Sequence, residues 1–314
     1  MSEPIHIISL GLGVQSSTVA LMAEEGEIEP RPVAAIFSDT RWERIKTYFW
    51  KERLVKSISF PVYTVSKGDL RAESIRTRTN RKTGQPYYST FIPAFVKTAT
   101  GRGILRRKCT HDFKLLQLIR KQAELVGKQN IRVWRKKHKT AVDALDHWKE
   151  ERSEARRKKL PCPLRPRWAW LECQSDPLAI IWIGMSIDEV GRVKDSTVYW
   201  SVNRWPLIEK NMSRNDCVRW LKNRGFAEPP KSACIGCPYH DDEYWMELKE
   251  NDPDEFQDAV RYELELQEVC RNGGAREVPF LHDSLIPLSQ VDFSRPSHEQ
   301  GDLFNNECEG MCGV

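Results

Sequence analysis

"HIISLGLGVQSSTVAL", residues 6 to 21, decides how the fold is read. An apolar run gives way to glycines and hydroxyls, then to a second apolar run. Ile5 to Ser9 reads as a short buried strand, and Ser16 to Met22 as the opening of a helix. A glycine-bearing turn from a strand into a helix N-terminus presents outward-pointing backbone N–H groups, so phosphate is the first candidate ligand. Ser9, Gly11, Gly13, Gln15, Ser16 and Ser17 are the residues that would meet it. The plainer alternative is an ordinary turn whose serines cap the helix.

Outward from this stretch, strand signals alternate with helix signals. "VAAIFSDT" (Val33 to Thr40) and "PVYTVS" (Pro61 to Ser66) read as strands, with a helix from Glu43 to Lys56 between them. "HDFKLLQLIRKQAELV" carries apolar residues at near-helical spacing, and "LAIIWIGMS" (Leu178 to Ser186) is the strongest candidate for a central strand. Strands separated by helices predict an α/β fold with a mostly parallel, doubly wound sheet. Residues 127–168 break the rhythm and read as a basic helical insertion. The predicted organisation is therefore a nucleotide-binding core of residues 1–126 and 169–230, the insertion at 127–168, and a Cys-containing C-terminal region at 231–314. In "MSRNDCVRWLKNRG", Ser213 and Asp216 have the spacing of a helix cap and Gly225 that of a stop. A long, mostly polar helix is expected from Asp252 to Cys270.

The 314 residues are 40% hydrophobic, enough for a real core. No apolar run approaches the length of a membrane span, and no basic stretch precedes an apolar leader, so a cytoplasmic protein without membrane contact is expected. In a reducing compartment, nine cysteines point to metal binding or redox chemistry rather than disulfides. The net charge of +5 is uneven: residues 127–168 hold 14 Lys/Arg against 5 Asp/Glu.

Two familiar phosphate loops do not fit. A P-loop needs a lysine that this turn lacks, and the dinucleotide pattern GxGxxG needs a third glycine where Ser16 stands. The turn instead resembles the pyrophosphate loop, SGGxDS, of the adenine nucleotide alpha hydrolase (PP-loop) superfamily, in the register Gly11-Leu12-Gly13-Val14-Gln15-Ser16. Its glutamine is similar to the phosphoadenosine phosphosulfate (PAPS) reductase-like branch. Further segments follow in the family's order. Asp39 in "FSDTRWE" stands where the second strand ends in a nucleotide-contacting acid. "GILRRKCTHDFKLLQL" looks like the basic-cysteine segment, and "WIGMSIDEVGRVKDS" like the strand ending in G-x-R-x-x-E-S. There Glu189 and Arg192 remain, while Ser186 and Val190 replace the arginine and serine. "RWPLIEKNMSRNDCVRWL" is similar to the family's Pro-Leu turn and following helix.

The resemblance implies an enzyme that binds ATP or a related adenylyl nucleotide on residues 11–17 and performs sulfur transfer or reduction. Asp39, Arg107, Glu189 and Arg192 are the implied catalytic residues. Cations at Arg106, Arg107, Lys108 and Arg192 would face developing phosphate charge. Asp39, Asp188 and Glu189 could hold magnesium.

"CIGCPYH" sets Cys234 and Cys237 at the spacing that turns two thiolates toward one metal. Cys109 follows a basic stretch, and Cys308 and Cys312 end the chain. A [4Fe–4S] cluster held by Cys109, Cys234, Cys237 and one of Cys308 or Cys312 is the first expectation. A structural zinc on Cys234, Cys237 and the two tail cysteines is the second, and a reactive dithiol in the tail the third. The basic insertion mixes cations with tryptophans, a combination suited to phosphates and unpaired bases. Arg135, Lys136, Lys137, Arg156, Arg157 and Lys158 are the candidate nucleic-acid contacts, with an acidic protein face as the rival partner. His138 and His147 are expected at the surface. A nucleic-acid base is the preferred sulfur acceptor. The other class of reading is a noncatalytic nucleic-acid-binding accessory protein with a degenerate nucleotide pocket and structural zinc.

Overall fold

The computed structural model describes residues 3–79, 81–84, 86–87, 91–99, 101–273 and 277–293. Its strands are β1 (Ile5–Ser9), β2 (Ala34–Ser38), β3 (Val62–Val65), β4 (Arg78–Thr79), β5 (Pro86–Tyr87), β6 (Phe95–Thr98), β7 (Gly101–Ile104), β8 (Ala179–Ile183), β9 (Ser201–Arg204) and β10 (Pro279–Phe280). Five of them form one wholly parallel sheet in the order β3-β2-β1-β8-β9. The α/β expectation holds at this level, with β8 central as its apolar run suggested. β9 was not anticipated: "SVNR" holds a single apolar residue and needs none, because it pairs only with β8 at the sheet edge.

Helices α1 (Val14–Glu24), α2 (Ile45–Lys56) and α3 (Leu70–Ile75) belong to the first half. A π-helical turn, Thr110–Leu115, runs into α4 (Leu116–Val126), followed by α5 (Lys128–Lys137), α6 (Lys139–Lys158) and α7 (Arg167–Gln174). Then come α8 (Pro206–Glu209), α9 (Arg214–Asn223), α10 (Asp242–Asn251) and α11 (Pro253–Asn272). Successive strand residues point to opposite faces, and both faces are covered. Ile8, Ala35, Phe37 and Trp182 pack with α1, α2 and α9 in one cluster, while Ile7, Ile36, Ile181 and Ile183 pack with α4 to α7 in another. A third cluster joins α10 and α11 to the segments around Trp42, Phe91 and Phe113. Among the described residues, no helix is long and apolar enough to cross a membrane.

Residues 127–168 are helical as expected, but α5 and α6 are part of the covering layer rather than an appendage. Trp134, Ala141, Val142 and Leu145 are buried in the α4–α7 cluster. Two surface expectations are thereby corrected. Trp134 donates from Nε1 to the Asp176 carbonyl at 2.7 Å and has no face left for a base. His138 is buried, its ring nitrogens 3.2 Å from Glu172 and 2.8 Å from Asp176. The polar–apolar pattern of a solvated helix hid this, because one narrow apolar stripe suffices to dock a helix.

Candidate functional site

The chain runs outward from β1 to β3, then returns to place β8 beside β1. The strand order reverses there, and ligands of such sheets collect outside the carboxyl ends of the strands at this point. Two loops flank it, Leu10–Gly13 after β1 and Gly184–Ser186 after β8. Leu12 takes the left-handed conformation (φ 64°) with its side chain buried, and Gly13 caps α1 through extended backbone. The second loop packs directly on the first turn of α1. A Cβ on Gly184 would lie 2.5 Å from both Ser16 Cα and Ser16 N, so only glycine permits this approach.

The hydroxyls and carboxylates of the expected phosphate site are largely engaged within the protein. Gly11 N donates to Ser16 Oγ at 3.2 Å, and Ser16 Oγ donates to the Gly13 carbonyl at 3.4 Å. Ser17 is turned inward, accepting from Trp50 Nε1 at 2.9 Å, which corrects its place among the phosphate contacts. Gln15 Nε2 donates to Glu189 Oε2 at 3.1 Å, and Arg192 reaches Glu189 Oε1 at 2.7 Å. Glu189 therefore ties the first turn of α1 to the turn Ile187–Arg192 that follows β8. Asp39 ends β2 as expected, but its Oδ1 accepts from Arg41 N (2.7 Å) and Tyr48 OH (2.8 Å). Asp188 Oδ2 accepts from Arg214 N at 2.6 Å, on the first turn of α9. What stays open is a small cleft of about 10 Å³ at the ends of β1 and β2, bordered by Ser9, Gly11, Ser38 and Lys114. The first turn of α1, whose amides have no carbonyl partner within the helix, follows the adjoining loop.

The cysteines are brought together. Cys109, Cys234 and Cys237 border one cavity of about 20 Å³, beside Arg107, Thr110 and Lys114. Each position has a local cause. The Phe91 carbonyl accepts from both Lys108 N (2.9 Å) and Cys109 N (2.8 Å), fixing the basic segment ahead of the π-helical turn. Such turns recur where a helix start must present a particular side chain. The CxxC turn closes with Cys237 N donating to the Cys234 carbonyl at 3.1 Å. It is anchored to the segment after β2 by a bridge between Glu43 and Cys234 and by Ile235 N donating to the Trp42 carbonyl. Gly236 lies over Trp42 so closely that a Cβ would stand 2.2 Å from its ring. His240 Nε2 donates to the Cys234 carbonyl at 2.9 Å. Since a carbonyl only accepts, this fixes the tautomer. Burial holds the His240 pKa down to about 3, so the ring is neutral.

Burial, then the Glu43 carboxylate, push the Cys234 thiol well above its ordinary pKa, while Lys114 and Thr40 oppose them. A thiol so placed stays protonated unless a bound cation displaces the proton to solvent. Three thiols around one cavity are a suitable donor set for a thiophilic metal or an iron–sulfur cluster. Even so, among the described residues no three His, Cys, Asp or Glu side chains are already arranged to hold a metal ion, so binding would draw these in. Cys308 and Cys312 lie outside the described residues. Cys217 is buried in the core, and Cys162 is exposed.

Lys114 connects the two places. It borders both the thiol cavity and the strand-end cleft. Its Nζ lies 3.2 Å from Glu43 Oε1, which also accepts from Thr40 Oγ1 at 3.0 Å. Neither Lys114 nor Glu43 stood out in sequence, since each is one charge among many and only a pairing 71 residues apart reveals them. A separate cavity of about 230 Å³, lined by Ile5, Val126, Trp134 and Leu178, opens at the amino ends of β1 and β8, far from this chemistry.

Of the basic residues, Arg135 pairs with Asp146 (2.8 Å), Lys137 with Asp176 (2.7 Å) and Lys158 with Glu154 (2.6 Å). Lys136, Arg156, Arg157 and Lys158 are exposed. No protein-family model matches the chain, and no curated protein matches it.

Proposed function

We propose that this chain is an adenylyl-nucleotide-dependent enzyme of sulfur transfer or reductive modification, similar to the PAPS reductase-like branch of the PP-loop nucleotide hydrolases. The observation that carries the reading is the cavity shared by Cys109, Cys234 and Cys237, with Lys114 bordering both it and the cleft at the ends of β1 and β2. In this reading the amides at the start of α1 meet phosphate oxygens, Lys114 offsets their charge, and Arg107 serves the thiol side. Asp39 lies at the nucleotide's edge of the sheet, while Glu189 and Arg192 hold the turn after β8 against the first turn of α1. Cys109, Cys234 and Cys237 would hold an iron–sulfur cluster, with Cys308 or Cys312 as the fourth ligand and magnesium accompanying the nucleotide. The cluster would supply sulfur or electrons. If ATP is the nucleotide, an acceptor oxygen attacks its α-phosphorus and pyrophosphate leaves. A sulfur nucleophile then displaces AMP. A base of a nucleic acid whose phosphates lie on the exposed cations of α5 and α6, in a reducing cytoplasm, is the preferred acceptor.

A second reading is favoured by the internal bonding of Gln15, Ser16 and Ser17. It is a nucleic-acid-binding accessory protein with a degenerate nucleotide pocket and a structural zinc. One anaerobic preparation separates the two. Its iron, sulfide and zinc are measured together with pyrophosphate release from ATP, with and without RNA or DNA. The enzyme reading expects iron with sulfide, loss of both in Cys234→Ser, and released pyrophosphate. Zinc alone without pyrophosphate overturns it.

A further inference from the structure

Glu43, which touches two residues that line the thiol cavity, Cys234 and Lys114, is left unexplained by the functional reading. Its side chain is 0% exposed. Oε1 has Thr40 Oγ1, Lys114 Nζ and, at 3.7 Å, the Cys234 thiol. Oε2 finds no hydrogen-bond donor among the described residues. A buried carboxylate oxygen without a partner is costly, and native interiors seldom hold one without a reason. The orphaned oxygen is not alone. Thr110, a residue that lines the cavity, also has a buried Oγ1 without a partner among the described residues. Two buried oxygens from different segments, one on a residue that lines the cavity and one on a residue in contact with Cys234, mark a place where a polar or cationic group belongs.

The backbone holds the carboxylate for that purpose. Glu43 and Cys234 face each other across the isolated bridge, so the acid keeps one register with the first cysteine of the CxxC turn. Trp42, its neighbour, is clamped from both sides. The Gly236 backbone lies on its ring, and its Nε1 donates to Asp258 at 2.7 Å. Arg44, on the other side, is buried and donates to Glu247, Asp252 and Glu255. A carboxylate between two such anchors has little freedom to reach solvent.

We propose that Glu43 is an oxygen ligand of a metal centre whose sulfur ligands are Cys109, Cys234 and Cys237, a three-sulfur, one-oxygen set. The inference rests on the reading that the thiol cavity binds a metal. It replaces a tail cysteine as the fourth protein ligand. Carboxylate oxygen is a competent ligand to zinc and to iron, so the same set would serve either a zinc ion or the unique iron of a cluster. Lys114 would then act as a positioning residue that balances the anionic ligand.

Cobalt(II) is the probe, titrated anaerobically into the reduced, metal-depleted full chain. The wild type should show near-ultraviolet charge-transfer intensity of three thiolates, tetrahedral visible bands, and a shifted carboxylate band in the infrared difference spectrum. Glu43→Gln should weaken cobalt binding by about 10- to 100-fold or more and abolish the infrared shift while keeping three-thiolate intensity. The pair Cys308→Ser and Cys312→Ser should change nothing. If Glu43→Gln does not fold, as judged by circular dichroism, the wild-type infrared spectrum still decides: an unshifted carboxylate region overturns the assignment. So does four-thiolate intensity, or unchanged affinity in a folded Glu43→Gln. A wild type that takes up no cobalt overturns the metal reading of the cavity itself, and the role of Glu43 with it.

Discussion

Gly184 shows how much one missing methyl group decides. Its Cα sits against Ser16, and any Cβ there meets main-chain atoms that cannot rotate away. Gly184→Ala should therefore cost about 1–3 kcal/mol, read as a lowered urea midpoint at unchanged slope. A midpoint equal to wild type would mean that Gly184 and Ser16 are not in contact. Lys114 and Glu43 make the complementary case, where charge rather than volume decides. Lys114→Met leaves the Glu43 carboxylate buried beside Cys234 without its cation, at a cost of about 3–5 kcal/mol. Combining it with Glu43→Gln should restore most of that loss, and additive effects in the double-mutant cycle would show that the pair is uncoupled. Neither residue was legible in sequence. A glycine after an apolar strand, or a glutamate after a tryptophan, acquires meaning only from a partner far along the chain.

At the scale of elements, local rules succeeded where a structure is local. α9 begins as its sequence predicts: Ser213 Oγ accepts from Asp216 N, and the Asp216 carboxylate bonds back to Ser213 N at 2.8 Å. The bonds from Ser213, then Arg219, hold the Asp216 pKa down to about 2 from an ordinary 3.8. A depressed carboxyl stabilises the folded state above its ordinary value and loses that contribution as pH falls through its folded value. The cap should thus be intact above about pH 4 and fade towards pH 2. Ser213→Ala should remove about 1 kcal/mol near neutrality and flatten stability against pH over that acid window. Thermal unfolding from pH 2 to 7 checks both, and an acid profile identical to wild type would refute the cap's role. α5 and α6 went the other way. Their composition suggested solvated, base-binding helices, whereas burial of Trp134 and His138 makes them part of the sheet's cover. Few apolar residues are needed to dock a long helix, so composition understates its burial.

For the whole molecule, the remaining positive field concentrates at the end of α6. Arg156, Arg157 and Lys158 are exposed there, Lys158 paired with Glu154 of its own helix, whereas Arg135 and Lys137 are tied to Asp146 and Asp176. Replacing the α6 trio by glutamine should leave stability within about 0.5 kcal/mol. It should also make the slope of log affinity for nucleic acid against log salt shallower by about 2 to 3. An unchanged slope would exclude that surface as a phosphate contact. The larger arrangement places this surface on the α4–α7 layer. The thiol cavity lies elsewhere, among the Trp42, Phe91 and α10–α11 packing.

The chain's own pattern determined four of the five parallel strands, the helix that follows β1, the cap of α9 and the pairing of two cysteines on one turn. All of these arise from period-2 or period-3.6 burial or from hydrogen bonds within a few residues. The grouping of Cys109 with Cys234 and Cys237 was expected from the sequence, and the fold supplies their shared cavity. Tertiary structure alone decided that Ser17 faces Trp50, that Gly184 touches Ser16, and that Glu43 and Lys114 meet beside Cys234. Those outcomes depend on close packing and on the cost of burying unpaired charge, which act between segments that no local spacing relates.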